Sequence, residues 1–203
     1  MTEALFDELC KLGNEADIEF RKGKLEPAFE KYNQILGTML EIGEIDSFLV
    51  SKGTLGILLS LIMSKQLVEA HRIWGTDQDS LYWIGIDGLE NGQVSVHDTI
   101  LYMQICAYLN AHSNEKIEKK ADLVSSIYHR ICKFSNFELS DWKPVMVKNW
   151  NLLLKGIFQN KIPEKYCDMI DSIECDEILE NNSVVFLKSS LWEITWDVPE
   201  TEN

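Results

Sequence analysis

Arginine, glycine and proline are all scarce in this chain of 203 residues. The 19 Lys and Arg, of which only Arg21, Arg72 and Arg130 are arginines, face 33 Asp and Glu, for a formal net charge of −14. Because binding to a phosphate backbone needs clustered Lys and Arg, we expect no direct contact with nucleic acid. The 11 glycines and 4 prolines provide few turns, which favours long helices over many short strands.

The chain also lacks a hydrophobic run long enough to cross a membrane. Its longest apolar stretch, residues 55–63, is interrupted by Gly56 and Ser60 and is shorter than the roughly 20 residues that a span needs. The first residues are acidic where a signal peptide carries basic residues. The five cysteines include no Cys-x-x-Cys pair, which is typical of thiols packed in a reducing compartment. We therefore expect no membrane insertion and a cytoplasmic or nuclear location.

Residues suited to metal binding or catalysis are few. His129 and Cys132 lie three apart on one helical face, but no second pair completes the four ligands of a structural zinc site. His97 and Asp98 resemble a base with its orienting carboxylate, yet Asp98 is better placed to stabilise a helix N-terminus. The sequence thus predicts no catalytic residue, no metal ligand and no cofactor, and a protein that is not an enzyme.

Helical periodicity runs through most of the chain. Apolar residues from Leu5 to Phe20 recur at spacings of three and four, which predicts a helix at about 3–22 with Thr2 as its N-cap and Gly23 as its stop. The third helix is apolar on most sides, which is typical of the buried centre of a bundle. The same spacing predicts further helices at about 25–43, 47–64, 67–74, 96–111, 115–133, 140–160 and 168–179.

The fold class that follows is all-α, as a short α-solenoid or a layered helical bundle of 8–10 helices. We expect a single domain over residues 1–196, with an N-terminal helix-pair part at about 1–92 and a C-terminal helical part at about 93–196. Residues 184–197 fit a small β-hairpin, because apolar and polar residues alternate there, and fit a terminal helix nearly as well. We expect residues 197–203 to be a disordered tail.

The first part of the chain contains an internal echo at a spacing of 42 residues. A long helix, a tight turn, and a small residue followed four positions later by a large aromatic occur twice. Small residues allow two helices to approach closely while the aromatic packs between neighbours, and the spacing is in the range of helical repeats. The two sets are Ala16, Phe20, Gly23, Leu25, Ala28 and Tyr32, and Leu58, Ile62, Lys65, Leu67, Ala70 and Trp74.

The first of these sets resembles a tetratricopeptide repeat over about 25 residues. The second set is degenerate, since Lys65 replaces the turn glycine. The resemblance implies a protein-binding helical repeat. Chaperone-binding members of that family hold a peptide carboxylate with Lys and Asn, and the corresponding positions here are Gly13 and Asp17. We therefore expect no chaperone-tail binding.

Residues 35–92 also resemble a helical bundle that the steroid receptor RNA activator protein shares with the C-terminal domain of the COPII outer coat. The segment from Trp83 to Leu89 is similar to the short Trp-x-x-Gly-Val…Leu signature that closes that bundle. Asp87 and Gly88 stand where that family carries a basic pair. The resemblance implies a protein-interaction bundle and lends no catalytic residues.

The C-terminal part combines acidic residues with aromatics. Residues 161–203 hold 3 basic and 11 acidic residues, for a net charge of −8. Aromatics beside a charged rim are common anchors of protein interfaces. The sequence therefore predicts a protein-interaction patch formed by Trp192, Trp196, Phe186, Asp176, Glu177 and Glu180.

The function that these features favour is that of a non-enzymatic helical adapter, scaffold or complex subunit that binds one or more partner proteins. A vesicle-coat-related interaction bundle is one alternative. A second alternative is an all-α small-molecule-binding protein or an enzyme without a recognisable motif. The sequence leaves the oligomeric state open.

Overall fold

The computed structural model describes residues 1–43, 46–76, 96–134, 143–159 and 161–171. Within these ranges the protein is all helical, with eight helices, 85% of residues in helix and no strand. The all-α prediction is confirmed. Residues 184–197, for which a hairpin and a terminal helix are the two alternatives, lie outside the described ranges.

The eight helices follow one another with short turns where the connection is described. We number them α1 (Glu3–Arg21), α2 (Leu25–Ile42), α3 (Ser47–Met63), α4 (Leu67–Thr76), α5 (Val96–Ala111), α6 (Ile117–Phe134), α7 (Lys143–Ile157) and α8 (Glu164–Asp171). The last helix begins at Glu164, four residues before the expected start at residue 168. It begins directly after Pro163, because proline is suited to a helix N-terminal boundary, where its missing N–H costs nothing.

The chain forms two compact units, one containing residues 1–102 and the other beginning at Met103. We call residues 1–102 the N-terminal unit and residues 103–171 the central unit. Each unit is described by itself.

The N-terminal unit is built from two helical hairpins. In the first hairpin α1 packs on α2, and in the second α3 packs on α4, while α2 also packs along α3. The Thr2 hydroxyl accepts a hydrogen bond from Leu5 N at 3.3 Å, as expected for the N-cap of α1. Asp46 caps α3 in the same way, since its carboxylate accepts from Leu49 N at 3.0 Å. These caps satisfy amide groups that a helix start leaves unpaired.

Helix α3 is the buried centre of this unit. Residues 51–62 are all buried, which confirms the prediction made from its apolar sequence. Two glycines allow the close packing of α2 on α3. A Cβ atom added to Gly56 would lie 2.5 Å from Cδ1 of Tyr32, and one added to Gly53 would lie 2.9 Å from Cδ2 of Leu36. Gly56 is therefore required by the aromatic ring that lies against it.

The two hairpin turns have the same backbone geometry at the 42-residue spacing. In the first turn, amides 22, 23 and 24 donate to the carbonyls of residues 18, 20 and 19, and in the second turn amides 64, 65 and 66 donate to those of residues 60, 62 and 61. Gly23 has φ +77° and Lys65 has φ +63°. Both turns thus end a helix with a left-handed residue, in the manner of a Schellman motif. The sequence echo thus coincides with two turns of the same backbone geometry.

Two buried polar pairs fasten the helices of the N-terminal unit. The Tyr32 hydroxyl on α2 donates to the Asp17 carboxylate on α1. Lys52 on α3 forms an ion pair with Asp98 in the first turn of α5, and both side chains are at most 5% exposed. Asp98 also lies where a carboxylate favours the helix N-terminus, as the sequence suggested.

The central unit is held by α6 packed on α7. Trp150 is fully buried, its indole N–H donates to Ser125 Oγ at 3.1 Å, and its ring stacks on Tyr128 with centroids 6.1 Å apart. The Asn149 amide donates to Gln104 Oε1 at 3.0 Å. The Tyr166 hydroxyl of α8 donates to Asp122 Oδ1 of α6 at 2.6 Å. Hydrogen bonds between side chains thus join the helices of this unit, and those of Trp150 and Asn149 are buried.

Candidate protein-interaction groove

A groove of about 450 Å³ lies at the junction of the two hairpins in the N-terminal unit. One wall is the first two turns of α2, and the other is the last turns of α3 with the turn that follows it. Its volume is in the range of pockets that bind ligands or anchor side chains. The groove is lined by Leu25, Glu26, Phe29, Ser60, Leu61, Ser64 and Gln66.

The α2 wall follows from the spacing of apolar residues along that helix. Ala28, Tyr32, Ile35 and Met39 form the buried stripe that packs in the core. Leu25 and Phe29 lie four residues apart beside that stripe, and both are half-buried. Because residues at i and i+4 are neighbours on a helix, these two side chains form one continuous apolar strip along the groove.

The α3 wall combines a buried leucine with polar side chains. Leu61 is 2% exposed. The hydroxyl of Ser60 donates to the Gly56 carbonyl at 2.8 Å, and that of Ser64 donates to the Ser60 carbonyl at 2.8 Å. The Gln66 amide donates to Ser64 Oγ at 3.2 Å. These bonds fix the side chains of this wall against their own helix and turn.

Glu26 is the charged residue of the groove lining. It lies in the first turn of α2 and is exposed. Within the described parts of the chain it makes no ion pair. By contrast, Lys22 and Lys24 in the first hairpin turn both contact the Glu19 carboxylate, at 3.6 and 2.9 Å. The hydrogen bond from Lys24 lowers the pKa of Glu19. Lys65 lies in the second turn and does not line the groove.

The groove lining includes none of the residues that the sequence suggested for chemistry. Asp98 is engaged by Lys52, and the side chain of His97 lies outside the description. Among the described residues, no group of three or more His, Cys, Asp or Glu side chains is arranged to hold a metal ion. Burial, with the neighbouring Asp17 carboxylate, raises the pKa of Tyr32. The Tyr32 hydroxyl is engaged in the hydrogen bond that joins α1 to α2.

The interaction patch predicted from the sequence lies entirely outside the described residues and stays a prediction. It comprises Trp192, Trp196, Phe186, Asp176, Glu177 and Glu180. Among the described tryptophans, Trp150 is fully buried, and Trp74 is half-buried, with its ring centroid 6.0 Å from that of His71.

The groove was missed by sequence reasoning, although a signal for it was present. Leu25 and Phe29 do not fall on the main stripe of α2, and a second apolar strip beside a core stripe indicates a further contact surface. The position of the opposite wall could not be read from the sequence, because it depends on how the second hairpin packs against the first.

The two positions at which the tetratricopeptide resemblance places a carboxylate clamp are not open to a ligand. Gly13 and Asp17 are both buried in the first hairpin, and Asp17 accepts the hydrogen bond of Tyr32.

No family model, curated protein or solved structure matches this chain. In the parts of the chain that the structure describes, no helix is both long and apolar enough to cross a membrane.

Proposed function

We propose that this protein is a non-enzymatic helical adapter or a subunit of a multiprotein complex, and that it binds a partner protein at the N-terminal unit. The observation that carries the proposal is the repeated hairpin, with the same turn geometry at a spacing of 42 residues, that leaves a groove at the junction of its two copies. Stacked helical hairpins present such junctions as binding surfaces in repeat proteins.

The apolar side chains of the groove support this proposal. Leu25 and Phe29 remain half-buried although α2 has a complete core stripe. Aromatic and aliphatic side chains that line a pocket are the usual anchors of protein interfaces. A partner side chain inserted between the hairpins would bury them further and gain the free energy of removing that surface from water.

The geometry of the two hairpin turns supports a tetratricopeptide-like hairpin unit. The Trp83 to Leu89 signature of the coat-related bundle lies outside the described residues. The coat-related interpretation stays a prediction that also assigns a protein-interaction function.

The test is an affinity capture from native lysate with quantitative mass spectrometry, comparing the full-length wild type with three variants. Phe29→Ala opens the groove, and Leu40→Ala is its control, because Leu40 lies on the same helix, is 82% exposed and does not line the groove. A chain truncated after Lys188 tests the predicted Trp192 and Trp196 patch. Circular dichroism melting establishes that each variant is folded.

A stoichiometric partner that is lost with Phe29→Ala and retained with Leu40→Ala is the expected result. A partner lost only on truncation after Lys188 would move the interface to the C-terminal patch. If the folded wild-type protein recovers no stoichiometric partner, the adapter function is contradicted and the small-molecule alternative takes its place.

A further inference from the structure

We infer that the groove between the hairpins binds a cationic peptide segment, in which an apolar side chain enters the groove and an adjacent Lys or Arg meets Glu26. The inference rests on the proposed function and names the chemistry of the partner. It is argued from the apolar lining of the groove, the charge of the N-terminal unit and the state of its ion pairs.

The lining sets the first requirement of the ligand. Leu25, Phe29 and Leu61 provide an apolar floor and wall, so a side chain such as leucine or phenylalanine is favoured there over a polar one. The polar lining residues on the α3 side already bond to their own helix and turn. An apolar anchor therefore enters without breaking a hydrogen bond.

The charge of the N-terminal unit sets the second requirement. Residues 1–102 hold 8 Lys and Arg against 17 Asp and Glu, for a net charge of −9, whereas residues 103–171 hold 10 against 8, for a net charge of +2. The segment that carries the groove is thus acidic, as are residues 172–203, which hold 1 basic and 8 acidic residues for a net charge of −7. Complementary charge speeds encounter with a cationic partner and disfavours an anionic one.

Many cations of the N-terminal unit already form ion pairs with carboxylates of the same unit. These include Lys22, Lys24, Lys31, Lys52 and Arg72. Glu26 has no such partner within the described residues, and it lies on the edge of the apolar lining. A Lys or Arg of the partner beside the anchor would place its charge next to this carboxylate.

Glu26 also has a structural use, since a carboxylate in the first turn of a helix interacts favourably with the helix dipole. Glu3 occupies the first turn of α1, is exposed and does not line the groove. Substitutions at Glu3 and Glu26 change the net charge and the helix N-terminus in the same way. Only the substitution at Glu26 changes the groove, so Glu3 provides a matched control.

The experiment measures the affinity of fluorescein-labelled peptides for the full chain by fluorescence anisotropy. The reference peptide carries one central leucine between lysines. A second peptide replaces the leucine with serine, and a third replaces the lysines with glutamates. Each is titrated with the wild type and with the variants Glu26→Lys, Glu3→Lys, Phe29→Ala and Leu40→Ala, in low and physiological salt.

The reference peptide is expected to bind the wild type, and the serine peptide to bind more weakly. Glu26→Lys is expected to lower the affinity for the reference peptide roughly tenfold or more, because it places a lysine of the protein next to those of the peptide. Glu3→Lys is expected to change this affinity only slightly. The glutamate peptide is expected to bind Glu26→Lys more tightly than it binds the wild type. Phe29→Ala is expected to lower the affinity for the reference peptide, and Leu40→Ala is expected to leave it unchanged.

If Glu26→Lys and Glu3→Lys lowered the affinity for the reference peptide equally, the inference would be overturned, since the peptide would then respond to the net charge of the protein alone. The inference would also be overturned if the wild type bound the glutamate peptide more tightly than the reference peptide. A dimer detected by light scattering that Phe29→Ala dissociates would overturn it as well, because a second copy of the chain would then occupy the groove. A lysate partner that depends on Phe29, without binding of the reference peptide, leaves the proposed function intact and refutes the cationic ligand. Peptide binding without any lysate partner refutes the proposed function alone.

Discussion

The two hairpins of the N-terminal unit share a turn but differ in the residue that occupies it. Gly23 and Lys65 both take a left-handed conformation, at φ +77° and +63°, and the surrounding amides bond to equivalent carbonyls. Glycine takes this conformation without a steric cost, while a residue with a Cβ atom is strained in it. The second turn therefore keeps its shape because the packing of α3 and α4 determines it, and not because of its local sequence.

The hairpins differ more in how their first helices are buried. Helix α1 buries one stripe, which includes Leu9 and Ala16, and leaves its other faces exposed. Helix α3 is buried all round from residue 51 to residue 62. The same repeat thus serves as an outer layer in one copy and as the core in the other. The stability of the unit is expected to depend much more on the second copy.

The largest effect is expected from breaking the buried ion pair that joins α3 of the second hairpin to α5. Asp98→Ala leaves the Lys52 ammonium buried without this carboxylate, and we expect a loss of about 3–5 kcal/mol in the free energy of unfolding. Urea denaturation measures it. The matched variant Lys52→Met with Asp98→Ala is expected to recover part of that loss, since no buried charge remains. A double variant as unstable as Asp98→Ala would contradict this account.

The next effect tests the close approach of α2 and α3. Gly56→Ala places a Cβ atom 2.5 Å from the Tyr32 ring, and such overpacking costs about 1–3 kcal/mol. Gly37→Ala is the control, because a Cβ atom at that position of α2 has no other side chain within 4 Å. It is expected to stabilise the protein by up to about 1 kcal/mol through helix propensity. Thermal melts measure both effects, and melting temperatures that shift in the same direction for the two variants would contradict the account.

A pH-dependent effect is expected in the first hairpin. Because the pKa of Tyr32 is raised in the folded state by burial and by Asp17, its contribution to stability is complete below pH 10 or so, the ordinary pKa of tyrosine, and is lost as the pH rises above it. One such group changes the free energy of unfolding by about 1.4 kcal/mol per pH unit in that range.

Tyr32→Phe removes this titration, and the missing hydrogen bond is expected to cost about 1–2 kcal/mol at neutral pH. Urea denaturation at neutral pH and between pH 10 and pH 11 measures both effects. Tyr108→Phe is the comparison for the hydrogen bond at neutral pH, since burial alone raises the pKa of Tyr108 and no carboxylate contributes to that shift. If the free energy of unfolding of Tyr32→Phe depended on pH above about pH 10 as it does in the wild type, the pH dependence would not come from Tyr32.

The smallest effect concerns the turn residues themselves. Lys65→Gly relieves the left-handed strain and is expected to stabilise the protein by about 0.5–1 kcal/mol, whereas Gly23→Ala is expected to destabilise it by a similar amount. Differential scanning calorimetry of the two variants measures the comparison directly. A destabilised Lys65→Gly variant would show that the lysine side chain stabilises the second turn in a way that outweighs its backbone strain.

Much of the fold could be predicted because it depends on local signals. The Thr2 cap, the Gly23 stop and the buried character of α3 all follow from spacing and composition, and the structure confirms each of them. The predicted start of α8, at residue 168, is too late, because the acidic pattern after Asp168 is a weaker signal than Pro163. A helix boundary set by proline is more definite than one set by a weak apolar pattern.

The candidate groove could not be predicted in the same way. Its walls come from α2 and from the end of α3, and their distance apart depends on Tyr32 lying against Gly56. The sequence did not indicate that the Tyr32 ring packs on Gly56, because a glycine within an apolar run is equally consistent with a simple interruption of that run. Tertiary contacts between residues far apart in the chain decide such a site.

The most direct test of a groove formed at the junction of two repeated hairpins is an amide chemical-shift map of the full chain. The map is recorded by NMR during titration with the peptide that carries a central leucine between lysines. The account predicts that the largest shifts lie on both walls together, at Leu25, Glu26 and Phe29 and at Leu61, Ser64 and Gln66. Shifts confined to one wall, or located outside residues 1–102, would contradict it.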